Sequence, residues 1–269
     1  DADRPRLIWA DAICINQNDA KEKSRQVQLM RDIYRDARRV LIWLGEEADF
    51  SSRAMSFVRR MAGLAADEMQ RLREPESQES VPNRAFTTQL PSILSPVWAS
   101  YQGLLRRPWF SRIWIVQEVA VASEALVICG REEVSWNDFL NVTCCVAGVL
   151  SFFPGESFPY NLFWIGQARL MVQENVRETL LDLLFRYRIF QVSNRRDLIY
   201  ALYGILHDAE RGPAIEPDYT SSNAEVYMRS TIAIIVADRN LDVLSASRGD
   251  DFGNVSEFPS CVPAWDSIT

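Results

Sequence analysis

Residues 7–44, LIWADAICINQNDAKEKSRQVQLMRDIYRDARRVLIWL, decide the predicted fold. The stretch begins with a short apolar run at 7–14 and ends with another at 40–44, and each is bounded by polar or turn residues, as is typical of buried strands. Between the two runs, one helical stripe is formed by Val27, Met30, Ile33, Tyr34 and Ala37. Strand, helix and strand in this order predict a βαβ unit with parallel strands and a right-handed crossover.

The chain after residue 44 combines helices with one further strand. The spacing of apolar residues predicts helices over 51–73, 94–106 and 111–122. Residues 126–129 predict a third short strand that ends at Gly130. The segment 74–88 is polar and contains proline, so we expect a mobile surface loop there.

Helical patterns dominate after about residue 135. They predict helices over 137–150, 161–172, 176–187, 196–206 and 224–237. We therefore predict an α/β core over residues 1–135 and a helical extension of the same protein over residues 136–269.

The composition is that of a folded, slightly acidic chain. Hydrophobic residues make up 48% of the 269 residues, which is enough to bury a sizeable core. Lysine and arginine number 29 against 36 acidic residues, which gives a net charge of −7. Because phosphate contacts need clustered cations, such a chain is a poor general binder of nucleic acid, and we predict no nucleic-acid partner.

The cysteines predict free thiols in a reducing compartment. Their number is odd, their spacing is irregular, and none forms a CxxC pair: Cys14, Cys129, Cys144, Cys145 and Cys261. No apolar run approaches the ~20 residues needed to cross a bilayer, and no signal-peptide pattern is present. We therefore predict a cytoplasmic protein without a membrane span. A strand-like segment follows Asp1 almost at once, so we also expect missing sequence before it.

The sequence lacks the common motifs of metal and cofactor sites. His207 is the single histidine, which argues against a metal centre and against a Ser-His-Asp triad. Neither a GxGxxG loop nor a Walker-type glycine loop occurs. We predict no bound metal and no bound cofactor.

Several motifs occur in a fixed order along nearly the whole chain. In chain order they include WADAICINQ (9–17), WLG (43–45), RPWFSRIWIVQE (107–118), RD (196–197), PDY (217–219) and VP (262–263). Their order and spacing resemble the fungal heterokaryon-incompatibility (HET) domain. That family usually begins with a strand carrying a Ser-Tyr-x-Trp-Gly-like motif, which this chain lacks. The resemblance implies a role in fungal non-self recognition and programmed cell death.

The HET domain is in turn distantly similar to the Toll/interleukin-1 receptor (TIR) domain. That resemblance implies an α/β fold with a flavodoxin-like parallel sheet, here lacking its first strand, and a helical C-terminal extension. TIR domains carry a Ser-x-Trp-Cys-x-x-Glu-like block, which Ser111, Trp114 and Glu118 resemble. In enzymatic TIR domains this glutamate is the catalytic residue of NAD cleavage. The resemblance therefore implies a catalytic role for Glu118, with NAD as a substrate.

The chemistry of NAD cleavage suits a single carboxylate. The nicotinamide–ribose bond breaks through an oxocarbenium-like state, and neutral nicotinamide leaves without a strong general acid. A carboxylate beside the ribose stabilises the positive charge that develops. Ligands of parallel sheets bind at the carboxyl ends of strands, where Asp11, Asn16 and Gln17 follow the predicted strand. We predict that these three residues and Trp114 bind the substrate.

Structural roles for the same residues stay open. Glu118 can pair with Arg112 at the surface, where such pairs contribute less than ~1 kcal/mol. Asp11 can cap the following loop, Asn16 and Gln17 can shape the turn, and Trp114 can belong to the core. The alternative function is a non-enzymatic death-signalling adaptor that acts by self-association, with an upstream sensor domain as a further expected partner.

Overall fold

The computed structural model describes residues 7–74, 82–150, 160–210, 214–247 and 259–265. These residues form a mixed α/β structure in which helices dominate. The helices are α1 (Asp11–Cys14), α2 (Ala20–Asp36), α3 (Ser51–Arg73), α4 (Arg84–Thr87), α5 (Val97–Leu105), α6 (Trp114–Val121), α7 (Trp136–Leu150), α8 (Tyr160–Gln173), α9 (Leu180–Tyr187), α10 (Asp197–Tyr203) and α11 (Asn223–Asp238). Short 3-10 helices cover Pro108–Ser111, Asp208–Glu210 and Asp242–Ala246.

A small mixed sheet forms from β1 (Val40–Trp43), β2 (Ala125–Cys129) and β3 (Glu132–Ser135), in that order across the sheet. β1 pairs with β2 in parallel and β2 pairs with β3 antiparallel. The strands predicted over 40–44 and 126–129 are confirmed, whereas β3 was not predicted. Gly130 begins the tight β2–β3 turn with φ +58, a backbone conformation that glycine adopts at little cost.

The strand predicted over residues 7–14 is wrong. Asp11–Cys14 forms the short helix α1, and Leu7 and Ile8 are 103% and 66% exposed. A short apolar run forms a buried strand only when other elements cover it, and periodicity alone does not separate such a strand from a helix. The predicted βαβ unit over 7–44 is therefore wrong as well. Nor is the sheet all parallel, since β3 is antiparallel; the finer flavodoxin-like assignment stays a prediction.

The chain divides into two compact units. The first comprises Asp1–Ile33, Val176–Arg188 and Val192–Thr269, and holds α1, most of α2, and α9 to α11. The second comprises Tyr34–Asn175 and Ile189–Gln191, and holds the sheet with α3 to α8. The boundary predicted between residues 135 and 136 separates an α/β family core from a helical extension, and it stays a prediction.

The core of the second unit is built around α3. Its apolar residues recur at helical spacing and are almost fully buried: Ala54, Met55, Phe57, Val58, Met61 and Ala65. This face packs against α7 and α5, while α6 packs against α8. The helix predicted over 51–73 is confirmed in full, and the helices predicted in the second half of the chain are confirmed with shifts at their ends.

The first unit has a helical core with well-defined helix starts. Thr179 and Asp182 form a capping box at α9, and Ser222 and Glu225 form another at α11. Each box satisfies backbone N–H groups that the first turn of a helix leaves unpaired.

Candidate functional site

Helix α6 carries Trp114 and Glu118, two of the predicted site residues. They lie one turn apart, so their side chains share a face of the helix. Every residue from Ile115 to Val121 is buried, and Glu118 is only 9% exposed, whereas Trp114 is half-buried. Ionised carboxylates are rarely placed in such surroundings, because burial removes their hydration. Glu118 is therefore set apart from the ordinary surface glutamates of the chain.

A backbone bridge fixes the start of α6. The Gln191 N–H donates to the Ser111 carbonyl at 2.7 Å, and the Ile113 N–H donates to the Gln191 carbonyl at 3.1 Å. The Ser111 hydroxyl also donates to Oε1 of Gln191 at 3.0 Å. The serine of the Ser-x-x-Trp block thus helps to hold the segment that leads into the helix.

A buried arginine holds the end of α6. Arg169, on α8, is 5% exposed, and its Nη1 donates to the carbonyls of Val119 at 2.7 Å and Ala122 at 2.6 Å. The last carbonyls of a helix have no partner within the helix, and a cation there also offsets the helix dipole. Burial lowers the pKa of Arg169 from its very high ordinary value. Both ends of the helix that carries Glu118 are therefore held in place.

Arg107 joins the RPW block to the WLG block. Its guanidinium donates to the carbonyl of Leu44 at 3.2 Å and to that of Glu46 at 3.2 Å, just beyond the carboxyl end of β1. Gly45 between them has φ +102, and a Cβ there would lie 3.1 Å from Nη1 of Arg107. Glycine is therefore required by both its backbone conformation and the nearness of the arginine.

Aromatic side chains pack beneath this region. Trp109 makes edge contacts with Phe110 and Trp136, with ring centroids 5.2 and 6.1 Å apart. Phe110 stacks on Phe139 with centroids 5.8 Å apart. Such pairs stabilise a core beyond the area that they bury. Trp109 and Phe110 therefore serve packing in this unit.

The other predicted site residues lie in the first unit. Asp11 begins α1, and its main-chain carbonyl accepts a hydrogen bond from the Gln17 side chain at 3.1 Å. The Asn16 side chain accepts from the Asn18 N–H at 3.2 Å. These bonds lie within one short segment and match the turn-shaping alternative. The predicted strand end that would have carried the three residues does not exist, and their contact with substrate stays a prediction.

Two of the surface concavities formed by the described residues have the volume of small-molecule sites. One, of about 640 Å³, lies in the first unit and is lined by residues of α2, α11 and the segment 214–220. The other, of about 540 Å³, lies in the second unit beside Arg107, Ser111 and Gln191. Glu118 lines neither of them. Its carboxylate therefore lies outside both concavities.

A hydrogen-bonded cluster in the first unit joins the RD and PDY blocks. The Tyr219 hydroxyl donates to the Asp197 carboxylate at 2.5 Å, and Arg196 donates to the Tyr219 carbonyl at 2.9 Å. Burial, together with the nearby charge of Asp197, raises the pKa of Tyr219 well above its usual range. The sequence favours a structural role for these blocks, with an ion-pair network at Arg196 and Asp197. Their spacing along the chain gives no sign that they meet.

The sequence was compared with known families and proteins. Residues 1–118 match the family described as "Heterokaryon incompatibility protein (HET)". This match confirms the resemblance to the heterokaryon-incompatibility (HET) domain that the ordered motifs indicate. The chain is similar to heterokaryon incompatibility protein 6, OR allele, of Neurospora crassa, with 29% identity over 308 aligned residues. The alignment covers 97% of this chain but only 45% of that relative.

No solved structure matches the chain, so the distant similarity to TIR domains stays a prediction. Among the residues that the structure describes, no helix is long and apolar enough to cross a bilayer.

Proposed function

We propose that this chain is an effector module of fungal non-self recognition, acting in heterokaryon incompatibility and the cell death that follows from it. The match of residues 1–118 to the HET family supports this role, as does the similarity to a protein named for heterokaryon incompatibility. Because the chain spans less than half of that relative, we propose that the rest of such a protein supplies the trigger.

For the mechanism, we propose that Glu118 cleaves NAD. The observation that carries this proposal is a nearly buried carboxylate, 9% exposed, on a helix whose two ends are fixed by Gln191 and Arg169. A carboxylate held by its surroundings stabilises developing positive charge without first having to reorganise. Trp114, one turn away and half-buried, offers a ring surface to the substrate.

The proposed reaction needs no bound metal or cofactor. The bond between the nicotinamide nitrogen and the ribose carbon breaks, and its electron pair leaves with the nicotinamide. Glu118 stabilises the oxocarbenium ion that forms. Water adds to the ribose carbon and releases a proton to solvent.

The test compares NAD turnover by the full-length wild-type protein with that of Glu118→Gln, after association has been induced. We expect turnover to fall at least about 100-fold, the scale of losing one transition-state contact. Glu68→Gln is a matched control, since Glu68 is also a buried glutamate, 3% exposed, but lies on α3 rather than on α6. Equal turnover by wild type and Glu118→Gln would remove Glu118 from the mechanism. Absence of turnover by the associated wild type would refute NAD cleavage.

A second mechanism, signalling by self-association without catalysis, is favoured by the outer face of β1. Leu41 and Trp43 are 50% and 49% exposed, while their neighbours Val40 and Ile42 are buried. Parallel strands are usually covered on both faces, and this one leaves two large apolar side chains in solvent. This face is far more exposed than Glu118, which favours it as a contact surface. We propose a second copy of the chain as its occupant.

The two mechanisms are separated by inducing expression in a fungal host and measuring growth. Toxicity that survives Glu118→Gln but is lost in the double variant Leu41→Glu/Trp43→Glu supports association alone. Toxicity lost in Glu118→Gln, with self-association by light scattering unchanged, supports catalysis. The double variant Leu29→Glu/Leu64→Glu is the matched control, since both leucines are partly exposed but lie outside β1.

A further inference from the structure

The concavity of about 640 Å³ in the first unit has no role in the function proposed above. Its volume falls within the range of small-molecule sites, roughly 300–1,000 Å³. Three cations, Lys21, Arg25 and Arg229, line it together with two carboxylates, Glu216 and Asp218. This combination of charges restricts which ligands the concavity can recognise.

Lys21 and Arg25 are two like charges on one face of α2. They lie four residues apart on α2, so their like charges face each other at a cost of about 0.2–0.5 kcal/mol. Lys21 is also in the first turn, at the positive end of the helix dipole. Within the described part of the chain, neither side chain has a hydrogen-bond or ion-pair partner. An anion in the concavity would relieve both effects.

One carboxylate of the lining, Asp218, is engaged in its own turn. Asp218 accepts hydrogen bonds from the hydroxyls of Thr220 at 2.6 Å and Ser221 at 2.5 Å, and from the Thr220 N–H at 2.9 Å. These bonds hold the pKa of Asp218 well below its usual range, with the Ser221 hydroxyl first and Thr220 next. The Asp218 charge therefore stabilises its own turn, and the three cations of the lining outnumber its two carboxylates.

The wall formed by this turn is held in place before any ligand binds. The Tyr200 hydroxyl donates to the Asp218 carbonyl at 3.1 Å and accepts from the Asp218 N–H at 3.0 Å. Arg229 lies 3.5 Å from the Asp218 carboxylate and donates to the Ser221 hydroxyl at 2.9 Å. Its position is therefore fixed at the rim. A preorganised wall reduces the ordering cost of binding.

Part of the remaining lining is apolar. Ile215, Val226 and Ala233 are 7%, 2% and 5% exposed, and Ile232 at the rim is 53% exposed. Inorganic phosphate would contact only the cationic side and leave the apolar side empty. A ligand that satisfies both sides has an anionic group attached to a planar or apolar body.

We propose that this concavity binds a small organic phosphate, with the phosphate between Lys21 and Arg25 and the organic body against Ile215 and Val226. Cations on side chains are the usual partners of phosphate oxygens, and such charge-assisted bonds are the strong ones. The site belongs to the first unit alone, so the proposal does not depend on the role of Glu118. The same phosphate chemistry occurs in soluble nucleotides and in lipid headgroups.

The experiment measures binding by calorimetry, using the full chain and ADP as the probe, with inorganic phosphate as a second ligand. We expect ADP to bind at least about tenfold more tightly than inorganic phosphate, because burying its base adds apolar contact. The double variant Lys21→Glu/Arg25→Glu should weaken ADP binding at least about 100-fold. The control Arg38→Glu/Arg60→Glu carries the same change in charge outside the concavity and should leave binding unchanged.

A further variant tests the apolar side separately. Ile232→Trp narrows the rim without touching a cation, and should weaken ADP at least about tenfold while leaving inorganic phosphate unchanged. Binding to lipid is tested with vesicles that contain or lack phosphatidylinositol 4-phosphate. If the chain binds only the vesicles that contain this lipid, the recognised phosphate is that of a lipid headgroup. The proposal is overturned if neither ADP nor these vesicles bind the folded wild type, or if the control variant loses as much affinity as Lys21→Glu/Arg25→Glu.

Discussion

Nη1 of Arg169 donates a 2.7 Å hydrogen bond to the main-chain carbonyl of Val119, joining α8 to the end of α6 across fifty residues of sequence. The same guanidinium reaches Ala122 at 2.6 Å and Ser123 at 3.3 Å. Three carbonyls that would otherwise need solvent are thereby satisfied inside the protein. The Arg169 side chain therefore provides the hydrogen bonds that hold the end of α6, the helix that carries Glu118.

Replacing Arg169 by methionine should lower the stability of the folded chain by about 3 kcal/mol. Methionine fills much of the space but leaves buried carbonyls without donors, which is the costly half of losing a hydrogen bond. The midpoint of urea unfolding measures the effect. Arg38→Met, at an exposed position, should change the free energy of unfolding by no more than about 0.5 kcal/mol. Equal midpoints for the two variants would show that Arg169 is not needed to hold α6.

Gly45→Ala should destabilise the protein by about 1–3 kcal/mol, the cost of holding a non-glycine residue in strained backbone. Its φ of +102 disfavours any side chain, and the new Cβ would lie 3.1 Å from Nη1 of Arg107. Gly63→Ala is the matched control. Gly63 lies within α3 with no atom within 4 Å of a built Cβ, so alanine should stabilise that helix by up to about 1 kcal/mol. In thermal unfolding, Gly45→Ala should lower the midpoint temperature and Gly63→Ala should raise it. A Gly45→Ala protein as stable as wild type would contradict the proposed constraint.

The sequence predicts the long helices well because their apolar spacing is unambiguous over several turns. The helix at 51–73 shows this most clearly, since its buried face follows from Ala54, Val58, Met61 and Ala65. The segment 7–14 shows the limit: an apolar run of this length fits a strand or a helix equally, and only tertiary contacts decide. β3 was missed because the acidic pair Glu132-Glu133 masks its alternation.

The candidate site, too, is predicted only in part by the sequence. The motif identifies Glu118, but nothing in the sequence reveals that its side chain is nearly buried. The arginine that holds the end of α6 lies fifty residues away and outside every quoted motif. Lys21 and Arg25 are visible as an i, i+4 pair, yet the concavity that they line also requires α11 and the segment around Asp218. Local patterns predict elements and motifs, whereas long-range packing decides which motifs meet.

Asp218→Asn should cost stability at neutral pH and progressively less in acid. Hydroxyl hydrogen bonds from Ser221 and Thr220 hold the pKa of Asp218 below its unfolded value of about 3.9. A depressed carboxyl pKa stabilises the fold fully above that unfolded value, and the contribution is lost as pH falls towards the folded pKa. The difference in free energy of unfolding between wild type and variant should therefore be constant from about pH 8 to pH 5 and shrink below about pH 4. Urea titrations across this range measure it, and a difference independent of pH would contradict the assignment.

The five cysteines should react in an order set by burial. Burial raises the pKa of Cys144 to about 11 and that of Cys145 to about 12, while Cys14 and Cys261 are exposed. Since the thiolate is the nucleophile, the two raised thiols should be alkylated by iodoacetamide at pH 8 at least about 100-fold more slowly than the exposed pair. Peptide mass spectrometry over time measures each rate, and the same reaction in urea, where all five should react alike, is the control.

Cys145 is the most informative of these thiols, because its Sγ donates to the Ala65 carbonyl on α3 at 3.8 Å. Its protection therefore reports the packing of α7 on α3, the contact around which the core of the second unit is built. If Cys145 reacted as fast as Cys14 in the native protein, α7 would have to separate from α3 on the timescale of alkylation. A slow reaction that becomes fast in Phe139→Ala, which removes a fully buried ring from the same helix, would tie the protection to that packing.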